Sequence, residues 1–193
     1  MEQELIEAAQ RGDTAAFSRL VRAHQDALYR FAVYYTGSEE VASELVQEAL
    51  IRFLGSLGRF DSALPVRPWL LRILVNLCKD HFKRKRVEGR HRHPGEPPPD
   101  DEVAGDPADR PDHTLERTQH LDRVRAAVAE LRDDYREPLL MKCVEGLSYE
   151  EMHTITGLPI TTLKIRVVRA REQLRLTLEA AEASETRRRY HGP

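Results

Sequence analysis

Four cations, Lys164, Arg166, Arg169 and Arg171, fall within eight residues in the second half of LSYEEMHTITGLPITTLKIRVVRAREQL (147–174), and a single acid, Glu172, stands among them. Guanidinium groups at this density suit phosphate, or the paired acceptors on the edge of guanine. The chain overall is close to neutral, with net charge -2, so the cluster is a local feature. A second cluster, KDHFKRKRVEGRHRH (79–93), carries Lys79, Lys83, Arg84 and Arg86 and continues a helical segment holding Trp69, Arg72 and Asn76. Cations that follow an indole, a guanidinium and an amide suggest a surface that tracks a nucleic-acid backbone beside groups able to stack on, or hydrogen-bond to, unpaired bases. Trp69 fits a core position equally well. Just upstream, GRFDSALPVRP (58–68) is a polar loop with two prolines that could present a pocket to a base.

Other chemistries find no support. Among the eight histidines, His91, His93 and His113 sit in or beside a proline-rich segment, and no Cys/His spacing makes a zinc site. No glycine-rich phosphate loop or nucleophile motif is present, so neither catalysis, nor a cofactor, nor a metal is expected. The two cysteines, Cys78 and Cys143, stand apart in apolar-periodic segments, which excludes a disulfide framework and suits a reduced, cytoplasmic compartment. The start, MEQELIEAAQRGD, is acidic where a signal peptide would be basic, and the most apolar run, 69–77, is short and holds Arg72 and Asn76. No membrane insertion is expected.

The elements that must position these residues read as helices throughout. Apolar residues recur at helical spacing in 5–9, 17–21, 28–33, 41–54, 69–82, 121–131 and 139–144, and no alternating β-branched run appears. Asp13 and Ser38 are expected N-caps. Ser148 and Glu151 form a capping box, Gly157 supplies a turn, and Pro159 suits the first turn of the following helix, which together spell a helix-turn-helix. On a wheel, Ile160, Leu163, Val167, Ala170 and Leu174 form the inward stripe. Thr161, Ile165, Val168 and Arg169 then point outward, fenced by Lys164 and Arg171 on one side and Arg166 on the other.

One segment breaks the pattern. HPGEPPPDDEVAGDPADRPDH (93–113) combines six prolines with seven acids and one arginine, and lacks the apolar surface to offset ordering entropy. The expected architecture is therefore all-α: two small helical domains, 1–92 and 114–180, joined by a flexible acidic linker at 93–113, with a tail at 181–193.

In this order, the motifs resemble those of the extracytoplasmic-function sigma factors, the smallest sigma-70-type promoter-recognition subunits of bacterial RNA polymerase. LIEAAQRGDTAAFSRLVRAHQDALYRFA resembles the family's opening helices. ASELVQEALIRFL is similar to the segment that docks on the β′ clamp helices, with Glu44, Leu45, Gln47 and Glu48 in the family's acidic-Leu-x-Gln-Glu pattern. WLLRILVNLCKDHFKRKR is similar to the melting and minus-ten region, and YREPLLMKCVEGLSYEE with the helix-turn-helix to the minus-thirty-five domain. The resemblance implies promoter DNA, core polymerase (β′ clamp helices and β flap) and an anti-sigma factor as partners. It implies minus-ten contacts from Asp61, Ser62, Trp69, Arg72, Asn76, Lys79, Lys83, Arg84 and Arg86. Minus-thirty-five contacts would come from Thr161, Thr162, Lys164, Ile165, Arg166, Val168, Arg169 and Arg171.

Some positions depart from the family. His153 stands where a small residue is usual and Thr156 where an aliphatic is usual, which implies looser packing at the crossing of the two helices. Leu71 replaces a common aromatic, and Thr161, Ile165 and Val168 are unusual in the outer face. Two other functions use the same features: a free-standing helix-turn-helix repressor, and a sigma-like decoy that captures an anti-sigma factor.

Overall fold

The computed structural model describes residues 2–91 and 112–190, with side chains at 2–87 and 121–184, and these residues contain helices and no strand. The elements are α1 (Glu2–Gln10), α2 (Thr14–Thr36), α3 (Glu39–Ser56), a 3-10 turn (Leu57–Arg59), α4 (Val66–His91), α5 (Asp112–Glu130), α6 (Asp133–Cys143), α7 (Tyr149–Thr156) and α8 (Ile160–Tyr190). The expected caps are present. Asp13 accepts from the Ala15 and Ala16 amides to open α2, and Ser38 accepts from Val41 N to open α3. Each such cap satisfies amides that have no partner inside the helix, at a typical gain of ~1 kcal/mol. Gly37, at φ 75°, ends α2 in the left-handed conformation that glycine adopts without a Cβ penalty.

Helices α1 to α4 bury a shared core of Phe31, Tyr35, Phe53, Leu70, Leu71 and Leu74. Leu71, where an aromatic is more usual, is fully enclosed here and is not a surface position. Phe17 stacks on Phe53 at 6.2 Å, and Phe60 meets Phe53 edge-on at 6.1 Å. Cys78 lies in the same core, where burial pushes its thiol up to about 12, so it stays neutral and unreactive at physiological pH.

Helices α5 to α8 form the second bundle, in which Leu163, Val167 and Ala170 of α8 face inward as expected. Ile160 and Leu174 are half-buried at the stripe's two ends. Two expected boundaries shift. Asp112 and His113, assigned to the linker, begin α5, and the rest of the linker lies outside the described residues. Helix α8 runs past residue 180 to Tyr190, because Leu174, Leu178 and Ala181 continue a half-buried stripe at spacings of four and three.

The two bundles do not stand apart. Val128, Leu140, Met141, Leu147 and Met152 belong to the same apolar cluster as Phe31, Tyr35 and Leu74. Helix α4 packs on α7, and α2 packs on α5 and α6.

Candidate nucleic-acid interface

The helix-turn-helix is fixed by local hydrogen bonds. Ser148 Oγ accepts from Glu151 N at 3.1 Å, and Glu151 Oε2 accepts from Ser148 N at 2.7 Å. The Ser148 N–H, and after it the Ser148 hydroxyl, hold the Glu151 carboxyl below the usual range. Gly157, at φ 72°, closes α7 by donating its N–H to His153 O at 2.8 Å. Pro159 stands one residue before α8 and offers its carbonyl to Leu163 N at 3.0 Å, so it caps the helix from outside its first turn.

His153 and Thr156 do not loosen the crossing, contrary to expectation. The crossing is made by Met152 and Ile155 against Leu163 and Val167, all buried. His153 turns outward and its Nδ1 donates to Leu158 O at 2.7 Å. Thr156 Oγ1 donates to Met152 O at 2.8 Å and accepts from Leu158 N at 3.2 Å. Both polar residues therefore fasten the turn peptide, a role that side-chain size in the sequence did not reveal.

On α8, Thr161, Lys164, Ile165, Val168, Arg169 and Arg171 are exposed, while Thr162 and Arg166 are half-buried at the edges. The one acid of the segment, Glu172, is drawn to Arg175 at 2.8 Å, and Arg175 is also held by Glu179. Arg169 has no ion-pair partner among the described residues. Lys164 and Lys142 both lie over the ring of Tyr149, at 5.6 and 5.0 Å, so α6 and α7 add a cation and an aromatic to the flank. Neither was singled out from the sequence.

On α4, Trp69, Arg72, Asn76, Lys79, Lys83 and Arg86 recur at spacings of three and four, which places them on one stripe. Arg72, Asn76, Lys83 and Arg84 are exposed. Trp69 is intermediate between core and platform: 37% exposed, with its ring edge-on to Phe60 at 5.4 Å. The neighbouring loop is held from α1, where Gln10 Nε2 donates to Leu57 O and Phe60 O at 3.0 and 2.7 Å. In that loop Asp61 accepts from Ala63 N at 3.0 Å, and Ser62 Oγ donates to Glu7 at 3.3 Å. Gln10 and Glu7 were missed in the sequence because their partners lie about 50 positions away.

Two cations of the stripe are already paired. Lys79 Nζ lies 2.5 Å from Glu137, and Arg86 lies 3.0 Å from Asp133, both acids belonging to α6.

On α3, Glu44 and Gln47 are exposed, Glu48 is half-buried and ion-paired with Arg52 at 2.8 Å, and Leu45 points into the core. Leu45 therefore supports this face from beneath and cannot be a contact residue. Ile51 and Leu54, 63% and 52% exposed, extend the Glu44 and Gln47 row at helical spacing. They went unremarked in the sequence, where any apolar residue of a helix reads first as core.

A helix-turn-helix with a cation-fenced outer face thus shares the chain with a helical bundle that carries an aromatic and basic stripe, the surfaces of a nucleic-acid-binding protein. Residues 20–88 match the family Sigma-70 region 2, and residues 121–174 match the family Sigma-70, region 4. The chain is similar to the RNA polymerase sigma-H factor of Pseudomonas aeruginosa, with 32% identity covering 92% of this chain and 94% of that one. Several further relatives are named ECF RNA polymerase sigma factors, from Mycobacterium tuberculosis and Bacillus subtilis among others. The fold is similar to that of CnrH in complex with the cytosolic domain of CnrY, with TM-score 0.69 and 25% identity over 93% of this chain and 97% of that one. It is also similar to the sigma factor RpoE of Bartonella quintana, solved in complex with the anti-sigma factor NepR, with TM-score 0.63 and 25% identity over 84% and 96%. The chain belongs to the sigma-70 family of RNA polymerase sigma factors, in its extracytoplasmic-function group. The match over residues 20–88 has no place in a free-standing repressor, which needs only the helix-turn-helix.

Proposed function

We propose that the N-terminal bundle, α1 to α4, holds core polymerase and the single-stranded minus-ten element, while the C-terminal bundle, α5 to α8, binds duplex at minus thirty-five. Core polymerase would be met on the outer face of α3, by Glu44, Gln47 and Glu48 with Ile51 and Leu54 beside them. The β′ clamp helices and the β flap are the expected surfaces of the polymerase. Trp69, Arg72, Asn76, Lys83 and Arg84, with the loop at Asp61 and Ser62, would receive the extruded strand, and Lys79 and Arg86 would join them once released from α6. The protein carries no catalysis of its own: it directs initiation, in the cytoplasm, and the chemistry belongs to the polymerase. An anti-sigma factor, as accompanies the Bartonella relative, is the expected regulator.

The observation that supports this reading most is the outer face of α8, where Thr161, Ile165, Val168 and Arg169 stand exposed between cations and Glu172, the one acid between 160 and 174, is paired with Arg175. Apolar groups there suit thymine methyls, and Arg169 suits guanine. The test separates melting from binding. Alanine at Trp69 and Asn76 is expected to impair transcription from duplex promoters more than from templates carrying a pre-opened bubble, since the bubble removes the unstacking cost. Circular dichroism checks that the Trp69 variant keeps its helices. Equal loss on both templates in a folded variant would refute the melting role.

A further inference from the structure

Ile165 and Val168 stand 53% and 65% exposed on the outer face of α8, and Val168 is the most exposed large apolar side chain among the described residues. Their direction is fixed from behind, because Leu163, Val167 and Ala170 of the same helix are at most 1% exposed. Neither residue serves the helix itself, since β-branched side chains are poorer helix formers than alanine, leucine or lysine. The patch is also too small to hold a protein partner by itself. Lys164, Arg169 and Arg171 are exposed around the pair and Arg166 is half-buried at its edge, whereas a stable protein contact needs about 800 Å² on each side.

Three positions apart, the two residues are separated by about 4.5 Å along the helix axis, close to the ~3.4 Å step between neighbouring base pairs. In the major groove the apolar feature open to them is the C5-methyl group of thymine. Each side chain branches at Cβ and keeps essentially one rotamer in a helix, so its methyls are in place before DNA arrives and little freedom is lost on contact. What such a side chain lacks matters as much. It has no donor for thymine O4 and no acceptor for the cytosine amino group, so it senses the methyl and not the base that bears it.

We propose that Ile165 and Val168 read pyrimidine C5-methyl groups and not base identity, so that 5-methylcytosine replaces thymine at the positions they cover. Methylation of cytosine there turns a rejected C·G pair into an accepted one, and promoter recognition responds to a modification that leaves base pairing unchanged. This rests on the assignment of α8 to the minus-thirty-five duplex. Arg169, adjacent to Val168 and exposed, supplies base identity through a neighbouring guanine, which the aliphatic pair cannot do.

The test uses holoenzyme reconstituted from the full chain and core polymerase. A minus-thirty-five element is selected from a random duplex pool, and each of its thymines is replaced in turn by deoxyuridine, by cytosine and by 5-methylcytosine, with guanine opposite the last two. At one or two neighbouring positions, deoxyuridine and cytosine are expected to weaken binding about 3- to 5-fold, the effect of one buried methyl group, and 5-methylcytosine to restore it. Ile165→Ala and Val168→Ala should each erase the difference between thymine and deoxyuridine at one position, with circular dichroism unchanged because both side chains lie outside the core. A selected element without thymine, or equal binding of thymine and deoxyuridine throughout, overturns methyl reading. A loss with deoxyuridine that 5-methylcytosine does not restore shows that the base is read as well and overturns the exchange. A methyl dependence that survives both alanine variants takes the role away from Ile165 and Val168. A holoenzyme that binds the minus-ten element yet enriches no minus-thirty-five sequence removes the assignment of α8 itself, which marks that failure apart from the other three.

Discussion

Arg169 stands exposed at the centre of the α8 outer face with no carboxylate partner among the described residues, between Ile165 and Val168 on one side and Arg166 at the edge. A guanidinium so placed is free to address a base, whereas the flanking cations reach phosphates. Arg169→Ala is expected to relax sequence preference at one or two promoter positions, at a cost of about 1–3 kcal/mol on specific duplex. Lys164→Ala and Arg166→Ala should weaken all sequences alike and flatten the salt dependence. Binding titrations on specific and random duplex check both, and an equal loss for Arg169→Ala on the two would move Arg169 to the phosphate class. The outward direction of Arg169 was legible because a helical wheel needs only local spacing. Arg136 was not legible in the same way, since the Tyr35 carbonyl that receives its Nη1 lies 101 positions away. Nothing in YREPLLMK says that its arginine is buried and its glutamate paired.

Helix ends were readable for the same local reason. The Asp13, Ser38 and Ser148 caps and the Gly157 turn all fall where the sequence put them, because each is a bond between neighbours. What a helix face meets is a tertiary matter, and there the reading was partial. The acidic-Leu-x-Gln-Glu pattern on α3 marks a face, yet Leu45 looks inward and Ile51 and Leu54 supply the apolar surface. An exposed apolar pair beside acids and an amide suits a partner that buries it, since burial yields about 25 cal/mol per Å² of apolar area. Gln47→Ala with Glu48→Lys is expected to reduce affinity for isolated core polymerase severalfold while circular dichroism stays helical. Loss of the exposed Glu48 and Arg52 pair removes only about 0.3–0.5 kcal/mol from the helix itself. Unchanged affinity for core would take α3 out of the dock.

At the scale of the whole molecule, closed packing and promoter binding make opposite demands. In the closed chain the bundles touch along α4 and α7, with α2 against α5 and α6. The two promoter elements implied by the family lie about two turns of duplex apart, roughly 70 Å at ~34–36 Å per turn. On the proposed reading the bundles separate, and the acidic stretch at 93–113, mostly outside the described residues, is expected to limit how far. Its 21 residues span at most roughly 70–75 Å when fully extended, whereas a collapsed coil of that length averages only about 25 Å. Six prolines and seven acids are the composition expected of a connector that works at the long end of that range. The composition gives the expectation of a connector here, but nothing in it disclosed that the bundles on either side also bind each other through Arg67, Lys79 and Arg86. Deleting residues 96–109 leaves seven of the 21, with a reach of at most ~25 Å. Such a chain is expected to keep both bundles folded and the helix-turn-helix able to bind duplex, since the described core residues all lie outside 96–109. It should lose transcription from promoters that need both elements, because holding minus ten and minus thirty-five at once then exceeds the tether. Reconstituted transcription on one- and two-element promoters reads the difference, and full activity on the two-element promoter would show that the domains are coupled by some other span.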